Sequence, residues 1–129
     1  MEHCGRRRVA ITGLGVVSPV GIGKQEFWQS IKNGRSGIKP ISLFDTRTFP
    51  VQIAGEVTNF DPHVYFPQDY IRRLDRFALM GLTPTKLALE DAQLGIPLHG
   101  NDGEKTCVRI GTAIGALSHP EEVHSIFLV

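Results

Sequence analysis

The chain has 129 residues, 41% hydrophobic and 21% charged, which is too apolar for a disordered segment and ordinary for a globular domain. A unit of this size can bury roughly two-thirds of its unfolded surface, so one domain is expected, with no internal repeat or boundary. Fourteen basic against thirteen acidic residues leave a net charge of +1, which excludes a whole-chain field for nucleic acid or an anionic membrane.

The basic cluster Arg6-Arg7-Arg8 reads as a solvated flank. Val9 to Thr12 then predicts a strand buried on both faces, a short β-branched run bounded by glycines. Lys24 to Asn33 predicts a helix with Phe27, Trp28 and Ile31 on one side, closed by Gly34 as a left-handed residue. Ser36-Gly37 turns the chain. Val51, Ile53, Gly55 and Val57 alternate with Gln52, Ala54 and Glu56, the period of a half-exposed strand bracketed by Pro50 and Asn59. Residues 61–68, rich in proline and aromatics, predict an irregular surface loop. From Asp69 the positions Ile71, Leu74, Ala78 and Leu82 advance at helical spacing until Pro84. Thr83-Pro84 matches an N-cap followed by proline, so a break is expected there, with a second helix to Leu94 closed by Gly95. Cys107 to Ala113 predicts a third strand running into a turn around Gly111 and Gly115.

No apolar run approaches the ~18 residues of a membrane span, and the N-terminus lacks the apolar centre of a secretory signal. A soluble, cytoplasmic protein is expected, an organelle staying open. Cys4 and Cys107 are too few and too unpatterned for a disulfide framework or a metal site.

Gly13-Leu14-Gly15 after a strand invites a nucleotide-binding reading, but Ser18 replaces the third glycine and no acidic residue follows ~20 positions on. Gly23-Lys24 fails as a phosphate-binding loop, because Ser18 and Gln25 stand where a glycine and a hydroxyl are required. Cys107, placed in a strand, reads as a packed core thiol rather than a nucleophile at a helix start. His119 and His124 are five apart, which does not set two imidazoles on one helical face for a metal. No cofactor is expected.

Taken in order, the segment from Arg7 to Gly21, then Glu26-Phe27-Trp28, Gly34-Arg35-Ser36-Gly37-Ile38, Phe44-Asp45, Ile53-Ala54-Gly55-Glu56-Val57, Leu74-Asp75-Arg76-Phe77, Ala88-Leu89-Glu90-Asp91-Ala92 and Ile110-Gly111-Thr112-Ala113-Ile114-Gly115 resemble the N-terminal part of a β-ketoacyl-[acyl-carrier-protein] synthase. The resemblance implies an α/β, partial thiolase-like fold, an incomplete mixed sheet with flanking helices, with residues 1–129 as part of the family's N-terminal domain. It also implies the reaction. An acyl group is delivered to a cysteine by acyl-carrier protein, a malonyl thioester is decarboxylated with the help of two histidines, and the carbanion condenses to a β-ketoacyl product of fatty acid or polyketide synthesis.

The family's partners are acyl-carrier protein and a second copy of the subunit. His99 precedes Gly100-Asn101 where the family's first histidine precedes Gly-Thr, none of His3, His63, His119 and His124 has a glycine neighbour on the required side, and neither cysteine matches the family's nucleophile motif. The chain alone is therefore expected to be inactive. Ile114 matches a position lining the acyl pocket, and it also fits as a core isoleucine at a strand end. The family's helix through Ala88 is continuous, and Pro84 departs from that pattern. A non-catalytic module binding a partner subunit is the alternative, and a nucleotide-binding α/β unit the second. Ser125 to Val129 is an apolar tail, which reads as a truncation.

Overall fold

The computed structural model describes residues 8–95, 97–112 and 115. Strand pairing among them is antiparallel and confined to two ribbons. In the first, β1 (Val17–Ser18) pairs with β2 (Gly21–Ile22), Val17 opposite Ile22 and Ser18 opposite Gly21. In the second, β3 (Ile38–Pro40) pairs with β4 (Ile53–Gly55), Ile38 opposite Gly55 and Pro40 opposite Ile53. The expected mixed sheet is therefore replaced, in the described residues, by two small antiparallel sheets.

The strand expected from Val9 to Thr12 does not form, nor does one over residues 107–112; both lack ladder partners. A strand exists only as part of a pair, because its backbone N–H and C=O groups need a neighbour. Val9 is 92% exposed and Val108 71%, so the apolar runs that predict strands lie open. Ala113 falls outside the described residues. The strand around Ile53 is confirmed over Ile53–Gly55; Val51, Gln52 and Ile53 are exposed, while Ala54, Glu56 and Val57 are half-buried. The Glu56 carboxylate accepts hydrogen bonds from the Ser42 N–H and hydroxyl and from the Leu43 N–H. These bonds hold its pKa below the ordinary value of 4.5, the Ser42 hydroxyl contributing most.

Helix α1 spans Lys24–Lys32. It ends as expected: Gly34 has φ +64, the Arg35 N–H reaches the Ser30 carbonyl at 2.9 Å and the Gly34 N–H that of Ile31 at 3.0 Å. This left-handed closure satisfies carbonyls that the helix leaves free. At its start the Glu26 carboxylate turns back to the Ile22 N–H at 3.0 Å. The helix lies against β2 with Ser30 buried, while Trp28 (59%) and Ile31 are exposed. Of the face expected to pack, Phe27 is half-buried while Trp28 and Ile31 are exposed.

A short 3-10 turn, Pro62–Val64, sits within the expected loop, Asp61 capping it through the His63 N–H at 2.9 Å. Helix α2 (Gln68–Arg73) follows, then α3 (Arg76–Asp91). The expected break at Thr83 is absent; it lies at Leu74 and Asp75, where Asp75 caps α3 through the Phe77 N–H at 2.9 Å. Pro84 is held inside a continuous helix. Thr83, fully buried, does not cap: its hydroxyl donates to the Leu79 carbonyl at 2.8 Å, and the Thr85 hydroxyl donates to that of Gly81 at 3.0 Å. Both are the back-bonds threonine makes within a helix, on either side of the residue that has no N–H to give.

The small core is Phe60 and Leu79. Phe60 is stacked on Tyr65 at 6.1 Å and covered by the Arg76 guanidinium at 5.3 Å. Arg76 also donates to the Val57 carbonyl at 2.6 Å and Lys86 to that of Tyr65 at 3.0 Å, so α3 clamps the 57–65 segment by charge as well as by packing.

Helix α3 closes on Gln93, not Gly95. The Leu94 N–H reaches the Leu89 carbonyl at 2.9 Å, and Gln93 takes φ +57. A non-glycine residue there costs on the order of 1 kcal/mol. Gln93→Gly is therefore expected to stabilise the chain by about 1 kcal/mol, read as a higher urea midpoint; an unchanged or lower midpoint would contradict this closure. A last short helix, α4 (Gly100–Glu104), precedes the open 107–112 segment.

Candidate functional site

The glycine segment before β1 lies directly on α3. A Cβ on Gly13 would overlap the Ala88 carbonyl oxygen and stand 2.8 Å from the Ala92 nitrogen; one on Gly15 would overlap the Pro84 carbonyl oxygen and stand 2.8 Å from the Ala88 nitrogen. Pro84, Ala88 and Ala92 recur every fourth residue, so they form one stripe on the helix. Gly13 and Gly15 are small so that an extended backbone can touch a helix backbone. Helix α3 thus lies directly against this turn.

Asp91 fastens the same contact at its end. Its carboxylate accepts the Leu14 N–H at 3.0 Å and is ion-paired to the Lys24 ammonium, joining the glycine segment, the first turn of α1 and the last turn of α3. The Lys24 hydrogen bond, then that of Leu14, holds the Asp91 pKa below its ordinary value of 3.8. Around this pair lies a cleft of about 350 Å³ bordered by Ile22, Glu26, Leu87 and Glu90. Beside it runs an apolar groove of about 500 Å³ lined by Leu14, Val16, Phe27 and Trp28.

Chemically the pair is a latch. Lys24 is committed to Asp91, which explains the failed phosphate-loop pattern at Gly23-Lys24 from the structural side. The group was missed in the sequence because its partners stand 67 and 77 residues apart; only the segment Ala88-Leu89-Glu90-Asp91-Ala92 pointed toward it. A lowered folded pKa favours folding above the unfolded value, and that contribution is lost as pH falls through the folded one. The urea midpoint of the native chain should thus exceed that of Asp91→Asn at neutral pH, the gap closing below pH 3.8. A gap that persists at full protonation would show that Asp91 acts through packing rather than charge.

The other sequence candidates do not converge on this cleft. Cys107 is exposed and outside any strand, which corrects its reading as a packed core thiol: no strand among the described residues pairs with its segment to cover it. His63 and His99 are exposed, one in the 3-10 turn and one ahead of α4. Ile114, His3, His119, His124 and Cys4 lie outside the described residues. No group of three or more His, Cys, Asp and Glu that could hold a metal occurs among the described residues, and no helix among them is long and apolar enough to cross a membrane.

Residues 6–126 match the sequence profile of the family described as Beta-ketoacyl synthase, N-terminal domain. The chain belongs to the β-ketoacyl synthase family. A 3-oxoacyl-[acyl-carrier-protein] synthase 2 of Coxiella burnetii is 39% identical over 123 residues, 95% of this chain and 29% of the relative. The enzyme of the same name from Synechocystis sp. is 34% identical, covering 99% of this chain and 30% of the relative. Among solved structures, the ishigamide ketosynthase/chain length factor superposes with a TM-score of 0.61 at 36% identity, over 70% of this chain and 23% of that one. The chain thus spans less than a third of these relatives, and the ketosynthase neighbour gives its fold as part of a thiolase-like α/β architecture. Within that architecture the glycine contact and the Asp91 pair tie the N-terminal segment and α1 to α3.

Proposed function

We propose that this chain is the N-terminal portion of a 3-oxoacyl-[acyl-carrier-protein] synthase, one that condenses acyl and malonyl thioesters with loss of carbon dioxide in fatty acid or polyketide synthesis. The observation that carries the proposal is the family match across residues 6–126. Within that reading, residues 1–129 form an incomplete part of the N-terminal domain. The chemistry belongs to a cysteine and two histidines that no residue here matches, acyl-carrier protein and a second subunit are the partners, and the cytoplasm is the setting. Ile114 would line the acyl pocket.

The test is a chimera in which this chain replaces the corresponding part of a relative 3-oxoacyl synthase. The chain alone is expected to give no condensation of acyl and malonyl thioesters, and the chimera to restore turnover. Ile114→Phe in the chimera should depress turnover of long acyl donors more than short ones, because the larger ring shortens the pocket. A folded but inactive chimera would overturn the proposal. So would turnover by the chain alone that disappears in Cys107→Ala. The second reading, a non-catalytic module engaging a partner subunit, is favoured by the neighbour whose name joins a ketosynthase to a chain length factor. It would be supported by an inactive chimera that still assembles with a second ketosynthase chain.

A further inference from the structure

We draw no further inference here: the strongest candidate, the apolar groove lined by Leu14, Val16, Phe27 and Trp28 between the glycine segment and α1, carries nothing because no feature of the structure shows what covers it.

Discussion

Gly15→Ala is expected to destabilise the chain by about 3 kcal/mol, the upper end of what inserting atoms into a tight contact costs. The added methyl overlaps the Pro84 carbonyl oxygen and crowds the Ala88 nitrogen. Both are backbone atoms that cannot swing aside, so the glycine segment must lift off α3, stretching the bond from the Leu14 N–H to Asp91. Gly81→Ala is the internal control. It lies in the same helix, where a new Cβ meets nothing within 4 Å, and replacing a helical glycine by alanine should stabilise by about 0.5–1 kcal/mol. Urea midpoints moving in opposite directions would establish that Gly13-Leu14-Gly15 is a packing device. A tolerated Gly15→Ala would remove that account of the motif.

The second large effect concerns surface. Apolar side chains lie open at several places among the described residues. Val9 and Ile11 on one side, and Val108 and Ile110 on the other, are apolar and open in segments without ladder partners, and Trp28 and Ile31 of α1 are exposed. Unpaired apolar backbone is a template for association with other chains. The chain alone is therefore expected to self-associate as its concentration rises, read by sedimentation, and a species that stays monomeric would contradict this.

How far the sequence revealed this arrangement depended on whether the deciding contacts were local. The end of α1 was legible because Gly34 alone sets its left-handed closure. The strand at Ile53 was legible from its alternation, but its inward face was not, since that is decided by what packs on the ribbon. Its partner β3 was hidden because Lys39 and Pro40 are poor strand formers, Pro40 being tolerated only at an edge. Thr83-Pro84 satisfies the pattern of a helix start and equally that of a helix interior with a back-bonded hydroxyl; tertiary packing against Gly15 selected the second. The β-branched runs at Val9 and Val108 announced strands correctly as a preference, yet pairing needs neighbours that the described residues do not supply. The Asp91 latch was out of reach, as it joins residues brought together only by the fold.

The proposal that these residues are part of a β-ketoacyl synthase scaffold and not a self-sufficient domain has a direct test. Sedimentation combined with equilibrium urea unfolding, in the presence of a dye that binds apolar surface, tests it most directly. The chain alone should bind dye before any denaturant is added and self-associate with rising concentration. A monodisperse monomer that binds no dye and unfolds in one cooperative transition would contradict it.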